Sequence, residues 1–251
     1  MSAAGSPPPP PPAWKMTASH KVLWGLAMSL VAAKIIELLV HVPFRSASQQ
    51  ALFSWKSVAF FVTLTLLGAA FAHIVGFPAM WEKKIGNRQR VWLPLLLGIV
   101  LGIGLLAVDR VSGFSHLMAV VNGQPSLGVP FPYSLLVQLF VALCSAVLYN
   151  LFAISFTVWF FGTLLLSRHW PSQVFWALAI LVSSWEPLTM ATQKQWALVR
   201  VAPPTAALVG LLVLVYVMDL AGAVLLRRFG FVAALVMRVS AIVVWHIIGR
   251  F

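Results

Sequence analysis

Residues 204–226 read PTAALVGLLVLVYVMDLAGAVLL, and Asp219 is the single charged residue among them. An α-helix needs about 20 mostly apolar residues to cross the hydrocarbon core of a bilayer. Pro204 suits the first turn of such a helix, because proline lacks the N–H group that would be unsatisfied there. The stretch therefore predicts a transmembrane helix that carries one carboxyl group.

The same apolar character recurs along the whole chain. Of its 251 residues, 61% are hydrophobic and 9% are charged, whereas about 25% of the residues in an average soluble domain are charged. This composition excludes an ordinary soluble enzyme, which needs a polar exterior, and a disordered chain. We predict an all-α, polytopic membrane bundle of about seven helices, over residues 22–42, 57–77, 91–108, 133–166, 173–190, 204–226 and 230–249.

The chain divides into a tail and a membrane domain. Residues 1–19 include an unbroken run of prolines, which favours extended polyproline II and predicts a disordered tail, with a proline-binding segment as the alternative. Residues 20–251 form one predicted transmembrane domain. Its segment 133–166 is too long for a perpendicular span and is expected to tilt or to begin on the surface. The fifth segment is expected to stop at Glu186, because Pro187 disfavours helix at the residue before it.

The net charge is +12, and we interpret the positive charges as determinants of membrane topology. The cations lie between apolar runs, where they orient the segments and meet lipid headgroups, and no basic cluster contains interleaved exposed aromatic residues. We therefore expect the lipid bilayer and no nucleic acid as a partner, in a bacterial inner (plasma) membrane with a cytoplasmic N-terminus. The more basic, N-terminal side carries Lys15, Lys21, Lys83, Lys84, Arg88, Arg90, Arg168, Arg227 and Arg228, and the other side carries Arg45, Lys56, Arg110, Lys194, Arg200 and Arg250.

Ionisable side chains inside a membrane are costly and mark functional or structural sites. Lys34, Glu37 and His41 lie three and four residues apart, so they share one helix face and can neutralise one another. We interpret this group as structural pairing, with a proton path as the alternative.

The last segment carries the most informative polar stripe, since Arg238, Ile242 and His246 are spaced four residues apart. Arginine stays protonated in proteins, so Arg238 needs a counter-ion or water. Among the few acids of the chain, Asp219 and Glu186 remain as possible counter-ions. We predict that one of them forms a buried ion pair with Arg238. A water-filled cavity, or a tilt that lets Arg238 reach the headgroups, is the alternative. Replacing Arg238 with Met is expected to be tolerated better than replacing the acid alone, because an unpaired buried charge is worse than none.

Small residues at helical spacing permit close approach between membrane helices. Such spacings occur at Gly98, Gly102 and Gly104, and again at Gly68 and Ala72. They permit close approach of another helix, including a helix of a partner protein, to the third and second segments.

The C-terminal motif RRFGFVAALVMR, residues 227–238, resembles the last motif of the CPBP intramembrane proteases, the CAAX-protease and bacteriocin-processing family. Upstream, PFPYSLL at residues 130–136 resembles the lead-in to the family's Glu-Glu-x-x-x-Arg motif, and FTVW at residues 156–159 resembles the stretch that comes after that motif. The resemblance covers about residues 91–250 and implies a CPBP-like helical core there.

The positions of the family's catalytic residues hold other side chains in this chain. The resemblance places Ser145 and Ala146 at the paired glutamates and Asn150 at the arginine of the first motif. It places Thr189 at one histidine, with Glu186 close by but not in that position. In the last motif, Arg238 stands at a histidine, Ile242 stands at an Asn or Asp, and His246 keeps the second histidine.

These departures bear on function, because proteolysis by the family needs a glutamate to activate water and histidines to orient it or to hold a metal. A general base contributes about 10²–10⁴-fold to such a reaction, and a catalytic metal needs about three protein ligands. We predict an inactive relative, with no metal and no cofactor, that acts as a scaffold, assembly factor or accessory subunit beside a membrane-protein partner. The alternatives are an active CPBP-type metallo or glutamic endopeptidase, with Glu186 and His246 as catalytic candidates, and a transporter component.

Overall fold

The computed structural model describes residues 19–44, 47–82, 84–112, 120–121, 124–125, 129–165, 172–192 and 205–247. The predicted tail lies outside these residues, except that residue 19 is the first of helix α1. Several basic residues of the topology prediction also lie outside them, namely Lys15, Arg45, Lys83, Arg168, Lys194, Arg200 and Arg250.

The described chain is helical almost throughout, which confirms the predicted all-α membrane bundle. The α-helices are α1 Ser19–Val40, α2 Ala47–Leu52, α3 Trp55–Ile74, α4 Leu93–Ser112, α5 Tyr133–Ser145, α6 Ile154–Trp159, α7 Ser172–Ser183, α8 Trp185–Thr192, α9 Thr205–Phe229 and α10 Phe231–Ile242. The π-helical segments, with i to i+5 hydrogen bonds, are π1 Arg88–Trp92, π2 Ala146–Ala153, π3 Phe160–Leu165 and π4 Val243–Ile247. Two short antiparallel strands, β1 Val120–Val121 and β2 Gln124–Pro125, pair in the connection between α4 and α5.

Within the described residues, six helices are long and apolar enough to cross a membrane. Their outward faces carry large apolar side chains, such as Leu39 at 72% exposure and Val100 at 66%. Such an exterior is stable in lipid and not in water. The chain is thus an integral membrane protein with the spans His20–Val40, Trp55–Ile74, Arg88–Val111, Tyr133–Gly162, Gln173–Ala191 and Thr205–Phe229, followed by the shorter apolar helix Phe231–His246.

Helix α10 lies at the centre of the bundle. It packs against α4, α9, α5 and π2, and Ala233, Ala234 and Met237 on it are fully buried. Because the helices alternate in direction, the turn between α9 and α10 lies at the same end of the bundle as the loop that follows α3.

The expectation that the fifth segment stops at Glu186 is wrong. Helix α7 ends at Ser183. After Ser184, helix α8 begins at Trp185 and includes both Glu186 and Pro187. Pro187 is the third residue of α8, where the backbone N–H groups have no intrahelical acceptor in any case. The missing N–H of proline is therefore tolerated, and the helix continues to Thr192.

The long fourth segment is one continuous helical rod made of α5, π2, α6 and π3. Its π-helical segments bond each N–H to a carbonyl five residues back, as the Ile154 N–H does to the Tyr149 carbonyl. Such wide turns are frequent at functional sites of helical proteins. Here π2 carries the side chains that meet the buried arginine.

Candidate functional site

Arg238 enters the bundle interior because of the turn that precedes α10. Gly230 has φ 82° and ψ 175°, a conformation that favours glycine, and a Cβ atom there would lie 3.0 Å from the carbonyl oxygen of Ala79. The turn therefore fits tightly against the loop after α3. Two turns further along α10, the side chain of Arg238 is 1% exposed.

Two carboxylates from two other helices bind the guanidinium of Arg238. Its Nη1 donates to Oδ1 of Asp219 on α9 at 2.5 Å, and its Nη2 donates to Oε2 of Glu186 on α8. The Asp219 side chain is 1% exposed and that of Glu186 is 17% exposed. The sequence pointed to one of these two acids as the partner, and the structure brings both of them to Arg238.

Polar side chains of π2 and α8 complete the group around Arg238. The Asn150 amide donates from Nδ2 to the Asp219 backbone carbonyl at 3.3 Å, and Arg238 Cζ lies 5.6 Å from the centroid of the Tyr149 ring. Thr189 donates from Oγ1 to the backbone carbonyl of Glu186 at 2.8 Å. We call these six residues, Asn150, Tyr149, Glu186, Thr189, Asp219 and Arg238, the buried polar cluster.

Gly222 makes room for Asn150. A Cβ atom on Gly222 would lie 2.5 Å from Asn150 Nδ2, so a larger residue at this position would displace the Asn150 side chain. Neither Gly222 nor Tyr149 was predicted from the sequence. Two signals were available, since Gly222 follows Asp219 by three residues and Tyr149 is adjacent to Asn150.

The buried polar cluster sets one permanent cation against two carboxyl groups. Attraction between a guanidinium and a carboxylate about 4 Å apart is several kcal/mol even at an effective dielectric constant of 20. Arg238 therefore attracts each acid, and this attraction opposes the cost of burying the charges and the repulsion between the two acids. The guanidinium also repels any metal cation at the same place. Across the part of the chain that the structure describes, no three His, Cys, Asp or Glu side chains are grouped as metal ligands.

Three other predicted positions, Ser145, Ala146 and Ile242, are not part of the buried polar cluster. Ser145 ends α5 and is partly exposed, and Ala146 begins π2 and is fully buried. Ile242 is the last residue of α10 and is 7% exposed. None of these three side chains offers a carboxylate or an imidazole.

His246 contacts a different part of the bundle from Arg238. Its ring stacks on Trp245 at 4.0 Å between centroids, and Trp245 Nε1 donates to Oδ2 of Asp109 at 3.2 Å. At about 1.5 Å of rise per residue, His246 lies roughly 12 Å along the helix from Arg238. Glu186, the other member of the candidate catalytic pair, binds Arg238.

The polar group of the first helix is only partly as expected. Lys34 Nζ donates to Oε2 of Glu37. His41 lies beyond the last residue of α1, with φ 50°, and its Nδ1 lies 3.2 Å from the carbonyl oxygen of Leu39. His41 thus closes the end of α1 and does not share its face.

Comparisons with protein-family models, with curated proteins and with solved structures found no match to this chain. The resemblance to the CPBP proteases stays a prediction from the motifs at residues 130–136, 156–159 and 227–238. The chain's own residues and their contacts are therefore the basis on which its function is inferred.

Proposed function

We propose that this integral membrane protein is a non-catalytic, CPBP-like helical core that acts by binding a membrane-protein partner, as a scaffold, assembly factor or accessory subunit. The observation that carries the proposal is that Arg238 holds both Asp219 and Glu186. The two carboxyl groups nearest the predicted reaction site serve as counter-ions of a buried cation.

A hydrolytic role would take Glu186 away from that task. A general base must reach a water molecule and accept its proton, whereas the Glu186 carboxylate accepts a hydrogen bond from Arg238. Taking up that proton would neutralise Glu186, leave Asp219 as the acid that pairs with the buried guanidinium, and weaken a charge-assisted hydrogen bond worth about 1.5–3 kcal/mol. The cluster is better suited to fixing four helical segments together than to turning over a substrate.

A binding role agrees with the exterior of the bundle. Helix α1 presents Trp24 and Met28, both 60% exposed, on a face with few polar groups. Apolar helices in lipid associate through close packing and do not need charged contacts. A partner helix is therefore a suitable occupant for such a face.

The test combines a purification with a cleavage assay on full-length protein in the cells that make it. We expect the chain, 27.4 kDa by itself, to leave the membrane in mild detergent as part of a larger complex of fixed composition. We also expect Glu186→Gln to leave the peptides of the membrane fraction unchanged. Glu37→Gln is the matched control, because it removes a carboxylate from another intramembrane ion pair, that with Lys34.

An active intramembrane endopeptidase is the second candidate, and the exposure of Glu186 favours it. At 17% exposure, the Glu186 side chain is more open than those of Asp219 and Arg238, so its carboxylate is the one within reach of a substrate. Cleavage of a membrane peptide that disappears with Glu186→Gln and persists with Glu37→Gln would establish the protease and overturn the non-catalytic proposal.

A further inference from the structure

A second polar feature lies at the end of the bundle where α9 meets α10, away from the buried polar cluster. A crevice of about 210 Å³ opens between α7 and α9, and it is lined by Phe175, Trp176, Val224, Arg227 and Arg228. We propose that this crevice binds the phosphate of an anionic membrane phospholipid, with Arg227 and Arg228 on the phosphate and the aromatic wall against the glycerol and upper acyl chain.

The position of the crevice along the membrane normal matches that of the lipid headgroups. Helix α9 runs from Thr205 to Phe229, about 37 Å at 1.5 Å per residue, which exceeds the roughly 30 Å of hydrocarbon. Its last turn, with Arg227 and Arg228, therefore reaches the lipid phosphates. Trp176 is 40% exposed beside it, and tryptophan prefers this interfacial level.

The guanidinium of Arg227 is held in place before any ligand binds. Its Cζ lies 4.3 Å from the centroid of the Phe175 ring, and Phe175 packs edge-on against Phe77 at 6.1 Å. Stacking uses the face of the guanidinium, whereas its N–H donors lie in its plane and suit bidentate recognition of phosphate. Arg228 is exposed next to it and adds a second charge.

The electrostatic balance favours an anion. The C-terminal end of α9 contributes about half a negative charge, which two arginines outweigh. The same end of the bundle also carries the exposed Lys84 and Arg88, which outnumber the acid Glu82 of the same loop. Basic pockets between membrane helices are typical sites for anionic headgroups.

An apolar path for the acyl chain continues from the crevice into the membrane. On α7, Ile180 follows Trp176 by one turn and is 50% exposed, and on α9, Val217 precedes Val224 by two turns and is 41% exposed. Residues at these spacings share a helix face. A free phosphate ion would use the arginines alone, whereas a phospholipid uses the arginines and this path.

The experiment uses full-length protein in phosphatidylcholine vesicles that contain either brominated phosphatidylglycerol or brominated phosphatidylcholine. Bromine quenches nearby tryptophan, so the difference in quenching between the parent protein and Trp176→Phe reports lipid at the crevice. We expect phosphatidylglycerol to be preferred over phosphatidylcholine. Arg227→Gln with Arg228→Gln should reduce this preference about thirtyfold.

The matched control is Lys84→Gln with Arg88→Gln, which removes the same charge from the same end of the bundle but outside the crevice. It should keep the preference, and equal loss in both double variants would overturn the proposal. Arg228→Gln alone alters only an exposed side chain, so it keeps the fold and should lower the preference severalfold. Displacement of the lipid by inorganic phosphate would assign the site to a soluble anion and overturn the lipid as its occupant.

Discussion

A permanent cation in the interior of an apolar bundle is stable only when counter-ions and hydrogen bonds replace its hydration. Arg238 receives them from two helices, Asp219 on α9 and Glu186 on α8. Because a second acid is present, loss of one acid does not leave the guanidinium unpaired. The sequence led us to expect that replacing one acid would be more harmful than replacing Arg238 with Met. With two acids bound to Arg238, we no longer expect the replacement of one acid to be the most harmful change.

We predict that the most harmful change removes both acids and keeps the arginine. Asp219→Asn combined with Glu186→Gln leaves a buried cation unpaired and should destabilise the fold by about 3–5 kcal/mol. Asp219→Asn alone should have a smaller effect, since Glu186 still pairs with Arg238. Adding Arg238→Met to the double variant should restore most of the stability. The measurement is the temperature at which half of the protein leaves the monodisperse peak in gel filtration.

Lys34→Met with Glu37→Gln is the control for this series, because it removes a whole ion pair from the edge of the bundle. It should change the transition temperature little, because it removes both charges of the pair and leaves neither of them unpaired. If Asp219→Asn with Glu186→Gln and Arg238→Met is as unstable as Asp219→Asn with Glu186→Gln, the packing of the Arg238 side chain matters for stability and its charge does not.

At this scale the sequence predicted the need for a counter-ion and narrowed the acids to two. It did so because few acids exist in the chain and arginine keeps its charge. It could not predict the contact of Asn150 with Asp219, which are 69 residues apart. Such a contact depends on how π2 and α9 pack, and local spacing does not contain that information.

Helices α4 and α10 approach each other at the glycines of α4. A Cβ atom on Gly98 would lie 2.2 Å from the carbonyl oxygen of Met237, and one on Gly102 would lie 2.7 Å from that of Ala241. Gly68 has the same role on α3, where a Cβ atom would lie 2.9 Å from Leu151 Cγ. Small residues at this spacing let two membrane helices pack backbone to backbone.

We predict that Gly98→Ala destabilises the protein by about 1–3 kcal/mol, because overpacking forces helix α10 to shift. Removing the side chain of Ser240 should not rescue it, since the backbone oxygen of Met237 still blocks the new methyl group. The measurement is again the thermal transition in detergent.

Gly104→Ala is the matched control on the same helix. Its Cβ atom would lie 3.5 Å from Leu214 Cδ2, an ordinary contact, and alanine favours helix over glycine by about 1 kcal/mol. It should be neutral or stabilising. Equal losses for Gly98→Ala and Gly104→Ala would contradict the close approach of α4 to α10.

Sequence spacing identified the right glycines but could not rank them. Gly98 and Gly102 face α10, whereas Gly104 points to a looser contact, and only the rotation of α4 decides this. The break before α8 shows a related limit. Pro187 marks a helix boundary in the sequence, but whether it ends one helix or sits in the first turn of the next depends on its neighbours.

At the scale of the whole molecule, the amino-acid composition alone predicted an integral membrane protein. An apolar chain of this length must meet lipid, and six spans do so in the described residues. The two ends of the bundle also differ in charge. Among the described residues, Lys21, Lys84, Arg88, Arg90, Arg227 and Arg228 lie at the end where α1 begins, and Lys56 and Arg110 lie at the other end.

This asymmetry predicts a cytoplasmic N-terminal end, because basic residues are retained on the cytoplasmic side. Single cysteines placed at the two ends of the third span test it in a Cys144→Ala background, since Cys144 is the natural cysteine and is buried. Gly86→Cys lies at the N-terminal end, with no atom within 4 Å of its Cβ position, and leaves every basic residue in place. Val111→Cys lies at the opposite end, at a position that is 85% exposed.

In intact cells, a membrane-impermeant maleimide should label Val111→Cys and should reach Gly86→Cys only after lysis. Labelling of Gly86→Cys from outside would place the N-terminal end in the exterior, against the charge asymmetry. It would also move Arg227 and Arg228 to the outer leaflet, because they lie at the same end of the bundle. One pair of variants thus determines both the orientation of the chain and the leaflet whose lipids can reach the crevice between α7 and α9.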